Sequence, residues 1–314
     1  MDDSADFAAP SVAADCGEVK FKSLAEILEI LIADSVSAGA TNIRIETEIG
    51  GRRLIRVTDD GQCPLRIGWT ESSLARLTRL AEIADVAEVE VVGWVGLGHA
   101  EILNFKTGRS ESVPVDRTRE GASVTLRNPY IDSPSHRRRL GSEATEVHHI
   151  RNAVVRSSLL HPEISFVFKS NGRELFSLSP ARTRKERIFQ LFGRELTEGL
   201  LLLEEKVSSK LSIEGFISTP RERRTSPKSQ FIFINGRASN DPTVSAGLRE
   251  GYRNVMFREF HPFAIVFVDA SEESVLPGPD SEYRKFRDPE QVRSLIANST
   301  RAALERSGIS TDSQ

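Results

Sequence analysis

Two stretches near the start of the chain determine the fold: residues 31–41 read LIADSVSAGAT, and residues 54–61 read LIRVTDDG. The first stretch closes an amphipathic helix predicted over residues 23–38, because apolar side chains recur every three or four positions there. The second stretch closes a predicted strand, and residues 42–46 alternate between polar and apolar side chains as a preceding strand should. The sequence therefore predicts a helix followed by a β-hairpin.

The same patterns predict the rest of a mixed α and β chain. Further helices are predicted over residues 70–92, 146–160, 242–255 and 289–305, and further strands over residues 123–126, 164–169, 210–217, 230–234 and 263–268. A polar, basic segment broken by proline near residues 178–190 predicts a domain boundary. We expect a flexible tail over residues 1–16, a first domain over 17–185 and a second α+β domain over 186–314.

Composition excludes several classes of protein. The 314 residues carry 42 basic and 45 acidic side chains, a net charge of −3, which excludes a uniformly basic nucleic-acid binder but allows a basic patch. Two cysteines, Cys16 and Cys63, are too few for a disulfide framework or a four-cysteine zinc site. No apolar run approaches the ~18 residues that a membrane span needs. We therefore expect a cytoplasmic protein without membrane contact.

Three segments carry residues suited to binding a nucleotide. A carboxylate at a strand end, Asp59, can accept a hydrogen bond from an adenine amino group, while Gly61 lets the ring approach. Backbone N–H groups of the glycine-spaced loop Gly93–Gly96 can fold over phosphates. Asp34, inside the first helix, can hold a magnesium ion. Each motif alone is also compatible with an ordinary turn or a solvated helix residue, so only their order favours a nucleotide site.

The chain resembles the N-terminal region of MutL-type DNA mismatch repair proteins, which are GHKL ATPases. Five segments in the family's order carry the resemblance: Ser-x-x-Ala-Gly-Ala-Thr at 35–41, Leu-Ile-Arg-Val-x-Asp-x-Gly at 54–61, Gly-Trp-Val-Gly at 93–96, the segment from Gly121 to Leu140, and Phe-Ile-Phe-Ile-Asn-Gly-Arg at 231–237. The resemblance disfavours the other GHKL members, histidine kinases and chaperones, because of the segment at 235–237.

The resemblance implies a GHKL (Bergerat-type) α/β sandwich that binds ATP and Mg²⁺, followed by a smaller α+β domain of the gyrase/MutL type. It assigns Asp59 to adenine, Gly61 to close approach, and Gly93 and Gly96 to the phosphate lid. Asp34 takes the place of the family's magnesium-binding Asn. Thr125 offers a hydroxyl near the family's Gly-Thr pair. Implied partners are DNA, other mismatch repair proteins and a second N-terminal region in an ATP-dependent dimer, in a cytoplasmic protein associated with the nucleoid when on DNA.

Departures from the family pattern fall on the catalytic positions. The family's catalytic Glu aligns with Ile30, whose side chain cannot accept a proton from water. Glu29 would reach that position only if a one-residue π-bulge absorbed an insertion; otherwise it is a solvated helix residue. Cys63 replaces a family glycine, and the second-domain lysine aligns with Ser281. We therefore expect an ATPase whose hydrolysis is weak or lost, or alternatively a non-enzymatic pseudo-ATPase that serves as an interaction or DNA-binding module.

Three basic clusters are weighed as DNA contacts: Arg137, Arg138 and Arg139; Arg182, Arg184, Lys185 and Arg187; and Arg221, Arg223, Arg224 and Lys228. The candidate DNA-binding residues are Arg182, Arg184 and Lys185 of the second cluster and Arg221, Arg223 and Arg224 of the third. Such clusters are often only solvated loops, but arginines of a MutL-type region would neutralise phosphates without reading sequence. We expect the family's C-terminal dimerisation and endonuclease region to be absent from these 314 residues.

Overall fold

The computed structural model describes residues 21–65, 71–96, 98–115, 120–208, 211–239, 241–276 and 285–310. The predicted flexible tail over residues 1–16 lies outside the described residues, as does Ser281. The chain divides into two compact units, Met1–Arg187 and Ile188–Gln314. Among the described helices, none combines the length and apolar character that a membrane crossing requires.

The first unit is a mixed sheet covered by helices. Its helices are α1 (Leu24–Ser37), α2 (Glu71–Ala84), α3 (Pro134–Arg139) and α4 (Glu143–Leu160); its strands are β1 (Asn42–Glu48), β2 (Leu54–Asp59), β3 (Glu88–Gly96), β4 (His99–Asn104), β5 (Arg109–Pro114), β6 (Glu120–Arg127), β7 (Ser165–Ser170) and β8 (Arg173–Leu178). The sheet has the order β5-β4-β3-β6-β2-β1-β7-β8. Within it β1 and β7 pair in parallel, whereas β1 and β2 form the antiparallel hairpin.

Helix α1 and strand β2 form the scaffold of the candidate site. The Ser23 hydroxyl accepts a hydrogen bond from the backbone N–H of Glu26 and so caps the N-terminus of α1. The apolar face of α1, including Leu24, Ile27 and Leu28, is buried completely. Because α1 packs on α4 and β2, the polar residues between its apolar positions are held at fixed places beside the end of β2.

The prediction of a helix over residues 70–92 is wrong for the second half of that range. Helix α2 ends at Ala84, and β3 begins at Glu88. Val89 and Val91 are buried and alternate with polar residues, so a period of two takes over where the helical period was expected to continue. The glycine-spaced segment predicted as a loop is therefore part of a strand that pairs with both β4 and β6.

The second unit packs two helices on a five-stranded sheet. Helix α5 (Arg184–Glu198) crosses the division of the chain, with a break at Gly193; the other elements are β9 (Leu200–Ser208), β10 (Leu211–Ser218), β11 (Arg223–Arg224), β12 (Gln230–Ile234), β13 (Arg237–Ser239), α6 (Pro242–Gly251), β14 (His261–Pro262), β15 (Ala264–Ala270), β16 (Val275–Leu276), β17 (Lys285–Phe286) and α7 (Pro289–Arg306). The sheet order is β13-β12-β15-β10-β9, and β11 pairs separately with β14. Buried apolar residues of α6, α7 and the sheet form one core.

Close packing of α6 on α7 requires a residue without a side chain at position 247. A Cβ atom at Gly247 would lie 2.8 Å from the backbone oxygen of Arg293 and 2.8 Å from Cβ of Ile296. We expect Gly247→Ala to lower the free energy of unfolding by about 1–3 kcal/mol, because a backbone oxygen cannot move aside and the clash outweighs the gain in helix propensity. Urea unfolding measures this difference.

Gly199→Ala is the matched control for this prediction. A Cβ at Gly199 would meet its nearest atoms at 3.6 and 3.8 Å, which is ordinary van der Waals contact. We expect that variant to stay within about 0.5 kcal/mol of the unchanged protein. Equal stability of the two variants would contradict the described approach of α6 to α7.

Candidate functional site

The carboxylate of Asp59 is enclosed by the protein itself. One of its oxygens, Oδ2, accepts hydrogen bonds from the Ser35 hydroxyl and from Nη2 of Arg76, both at 2.7 Å. The other oxygen, Oδ1, accepts from the backbone N–H of Gly61 at 3.0 Å. The side chains of Asp59 and Arg76 are only 0% and 5% exposed, so this is a buried ion pair. The group predicted to accept a hydrogen bond from adenine is therefore occupied by an arginine of α2.

Arg76 is incompletely paired in this position. Its Nε and Nη1 atoms are buried and have no hydrogen-bond partner among the described residues. Each buried donor left unpaired costs about 1–3 kcal/mol, so the ion pair forms against a desolvation penalty. Removal of either partner alone would leave a buried charge without its counter-ion, which is a greater cost.

A second arginine of α2 engages Asp34, the predicted magnesium ligand. Arg79 donates from Nε to Oδ1 of Asp34 at 2.6 Å. Burial raises the pKa of Asp34, and the hydrogen bond and charge of Arg79 oppose the increase without cancelling it. The second oxygen of Asp34, Oδ2, is buried and lacks a hydrogen-bond partner in the described part of the chain. Of the two aspartates, only Asp34 therefore retains a buried oxygen without a hydrogen bond.

Glu29, the candidate catalytic residue, faces a different neighbour. It accepts a hydrogen bond from Nε of Arg156 on α4 at 2.8 Å. Residues five apart on an α-helix, such as Glu29 and Asp34, point about 140° apart, whereas Ile30 and Asp34, four apart, share one side. Helix α1 is α-helical from Leu24 to Ser37, so the π-bulge that would bring Glu29 to the catalytic position is not present in it.

Close approach at the glycines serves the protein's own packing. A Cβ at Gly61 would lie 2.8 Å from the backbone oxygen of Ala38 at the end of α1. A Cβ at Gly93 would overlap Sγ of Cys63, which is buried against that strand. The space that these two glycines leave is therefore filled by α1 and by the side chain that replaces a family glycine.

The structure places Gly96 and Thr125, predicted for the phosphate lid and a binding hydroxyl, in strands. Gly96 ends strand β3, because pairing with the neighbouring strands extends through the glycine-spaced segment. Thr125 lies opposite Arg56 in the β2–β6 ladder and accepts a hydrogen bond from its Nε at 3.2 Å. Because Arg56 and Asp59 are three residues apart on one strand, they point to opposite faces of the sheet. Thr125 thus lies on the face away from Asp59.

Asp60 is a structural residue that sequence analysis did not single out. It accepts hydrogen bonds from the backbone N–H groups of Thr41 and Asn42, both at 2.8 Å, and from their side chains at 2.7 and 2.6 Å. Burial acts to raise its pKa, but these hydrogen bonds prevail and lower the pKa to about 2. An Asp-Gly turn gives no sign of partners 18 or 19 residues earlier, so local patterns could not have identified this role.

The predicted DNA-binding residues lie on the surface of both units. Arg182 and Lys185 are exposed at the start of α5, with Arg184 partly covered between them. By contrast, the neighbouring Arg187 is buried and donates to the backbone oxygens of Pro162 and Ile164 at 2.7 and 2.6 Å.

In the second unit Arg221 is exposed, whereas two of its neighbours have partners. The guanidinium of Arg223 lies 4.6 Å from the ring centroid of Phe260. Arg224 is 3.4 Å from a carboxylate oxygen of Glu222. The three arginines of this cluster therefore differ in how much charge they offer to a ligand.

Adenine does not fit the arrangement of these residues, whereas Asp34 retains one carboxylate oxygen of the kind that magnesium prefers. Asp59 is enclosed, and both of its oxygens already accept hydrogen bonds. No three His, Cys, Asp or Glu side chains come together as a metal site in the described ranges, so a magnesium ion on Asp34 would take its other ligands from nucleotide phosphates and water. A nucleotide would have to displace α2 from both aspartates.

Comparisons with other sequences identify relatives. Residues 188–305 match the family described as "DNA mismatch repair protein, C-terminal domain". The chain is 30% identical over 312 residues to DNA mismatch repair protein MutL of Syntrophotalea carbinolica, an alignment that covers 90% of this chain and 49% of that protein. MutL of Brucella abortus is 27% identical, with 91% and 50% covered. The chain spans about half the length of these curated relatives.

Comparisons with solved structures address the fold. The Aquifex aeolicus MutL ATPase domain complexed with ADP superposes with a TM-score of 0.60 at 21% identity, covering 88% of this chain and 97% of that one. The N-terminal domain of a DNA repair protein gives a TM-score of 0.71 at 15% identity, with 92% and 96% covered. The predicted α+β sandwich fold is therefore confirmed.

We expect Asp60→Ala to lower the free energy of unfolding by about 1–2 kcal/mol at neutral pH, because four hydrogen bonds to its carboxylate are lost. The Asp60 pKa is depressed in the folded state, so its stabilisation is complete above the ordinary carboxyl pKa and disappears as the pH falls from about 4 to about 2. The stability difference between the variant and the unchanged protein should shrink over that range in urea unfolding.

Asp85→Ala is the control, because Asp85 is exposed in the turn after α2. That substitution should change stability by less than about 0.5 kcal/mol. A constant difference between Asp60→Ala and the unchanged protein from neutral pH to pH 2 would contradict the assigned role of the carboxylate.

Proposed function

We propose that the chain acts in mismatch repair as an N-terminal module that does not hydrolyse ATP. The basis is its similarity to the MutL DNA mismatch repair proteins, which its motifs predicted. In this proposal it binds the phosphate backbone of DNA and works with other mismatch repair proteins. It corresponds to the pseudo-ATPase alternative, in which the ATPase fold is kept as a DNA-binding and interaction scaffold.

The buried ion pair between Arg76 and Asp59 carries this proposal. Asp59 would have to accept a hydrogen bond from adenine in any ATPase of this type, yet its carboxylate is enclosed and paired with Arg76. Ile30 supports the same conclusion, because the side of α1 that bears Asp34 offers an aliphatic group where a general base is needed. Glu29 does not replace that base, since it is directed to Arg156.

Nucleotide binding with α2 displaced is the second candidate function. The observation that favours it is Oδ2 of Asp34, a buried carboxylate oxygen without a hydrogen-bond partner among the described residues. Magnesium prefers such oxygens. In this candidate Arg76 and Arg79 would leave the two aspartates when ATP and Mg²⁺ enter, and the nucleotide-dependent N-terminal dimer implied by the resemblance would follow.

Calorimetry with a non-hydrolysable ATP analogue and magnesium tests the proposal. We expect no binding heat from the unchanged protein at millimolar ligand, and binding by Arg76→Met, which releases the Asp59 carboxylate. Arg156→Met is the control, because it releases Glu29 and leaves Asp59 enclosed. Binding by the unchanged protein, lost in Asp59→Asn, would establish the second candidate instead.

Two further measurements keep this test decisive if Arg76→Met does not fold. Hydrogen exchange of the unchanged protein should show no ligand-dependent change in residues 71–84, because α2 stays on both aspartates. Phosphate release from ATP should not exceed the rate without protein. Turnover that Glu29→Ala abolishes would contradict the proposed loss of hydrolysis.

The DNA-binding part of the proposal predicts a particular dependence on salt. Arg221 is exposed and has no carboxylate partner within the described residues, so Arg221→Gln should reduce the slope of log affinity against log salt by about 0.9 on duplex DNA. Fluorescence anisotropy with a labelled duplex, over roughly 50–200 mM salt, measures the slope.

Arg224→Gln is the matched control, because the nearby Glu222 carboxylate already offsets the Arg224 charge. Its slope should change by less than that of Arg221→Gln. Affinity that does not vary with salt would refute phosphate binding by the module.

A further inference from the structure

A pocket in the second unit lies outside the candidate ATP site. It is formed at the end of α6, by the turn that leads to β14, and by α7, and its volume is about 480 Å³. Four arginines line it together with Phe257 and Phe260. Pockets of this volume are within the range that accommodates small ligands.

The charge of the pocket is positive. Its acidic lining residue, Glu250, lies 3.1 Å from Nε of Arg293, so these two charges offset each other. The other three arginines, Arg249, Arg253 and Arg258, are exposed, and none has a carboxylate partner in the described part of the chain. An anionic ligand would therefore meet three guanidinium groups whose charge is not neutralised by the protein.

Aromatic rings accompany these charges. The side chain of Phe257 is 70% exposed, although it belongs to a turn of fixed backbone. The backbone N–H groups of Val255 and Met256 donate to the Tyr252 oxygen, and the Phe260 N–H donates to the Phe257 oxygen, all at 3.0 Å. The turn thus holds an apolar ring in water beside the arginines, at a cost that binding would recover.

We propose that this pocket binds single-stranded nucleic acid, with one unpaired base stacked on Phe257 and the adjoining phosphates on Arg249, Arg253 and Arg258. Basic side chains next to exposed aromatic rings are the combination that single strands require, because phosphates need cations and every base has a π-face. An acidic peptide would use the cations but gains less from a flat exposed ring. The proposal deepens the proposed function and rests on its DNA binding.

The test uses the full chain and a labelled thymine oligonucleotide that carries 2-aminopurine at its centre. Phe257→Ala should weaken affinity by about 5- to 100-fold and remove the fluorescence quenching that stacking causes. The slope of log affinity against log salt should stay unchanged in this variant. Arg253→Gln should instead reduce that slope by about 0.7, as expected for one phosphate contact on a single strand.

Leu202→Ala is the matched control, because Leu202 is a large apolar residue of the same unit that is 44% exposed and does not line the pocket. It should bind as the unchanged protein does, and Phe257→Trp should restore both affinity and quenching. Circular dichroism verifies that each variant is folded.

Several outcomes would overturn the proposal. If Phe257→Ala binds the oligonucleotide as tightly as the unchanged protein does, and duplex binding is intact, the pocket is not the binding site for single strands. The proposed function is not affected by that result. A glutamate-rich peptide that displaces the oligonucleotide and loses affinity in Phe257→Ala would identify an acidic peptide as the ligand. No binding of any DNA would overturn the pocket and the DNA-binding part of the proposed function together.

Discussion

The buried ion pair between Arg76 and Asp59 is the constraint on which the first unit depends. A buried guanidinium and a buried carboxylate are stable only when they are paired with each other. Helix α2, which carries Arg76, must therefore lie against the end of β2, which carries Asp59. Ser35 and the N–H of Gly61 complete the hydrogen bonds of the carboxylate, and α1 and the turn after β2 are fixed with it. What would be an entrance for a ligand becomes part of the core.

Local patterns in the sequence predicted the scaffold of this site but not its closure. The period of α1 and the alternation of β1 and β2 follow from neighbouring residues, and the order of the motifs led to the correct relatives. The partners of the carboxylates lie much farther away: Arg76 is 17 residues from Asp59, Arg79 is 45 from Asp34, and Arg156 is 127 from Glu29. No local spacing encodes such pairs, since they depend on how the helices pack.

The sheet explains the other differences between expectation and structure. The apolar pattern of residues 85–92 is compatible with either a helix or a strand. Residues from Glu88 onward form a strand because they pair with both β4 and β6. Thr125 lies close in sequence to a family motif, yet the register of β6 on β2 turns its side chain to the far face. The position of a motif in the sequence fixes where a residue lies along a strand. The pleat and the register of the sheet determine to which face its side chain points.

The ion pair also affects how this chain can change by mutation. Substitution of Arg76 alone leaves the buried Asp59 carboxylate without its counter-ion. Substitution of Asp59 alone leaves a buried guanidinium without its counter-ion, and two nitrogens of that group already lack hydrogen bonds. Either single step costs about 3–5 kcal/mol, a large part of the stability of most domains. In the proposed module, nucleotide turnover would need changes at Arg76, Arg79 and Ile30 together, because opening the site does not by itself supply a general base. Under the proposed function, the closed site therefore puts nucleotide turnover out of reach of any single substitution.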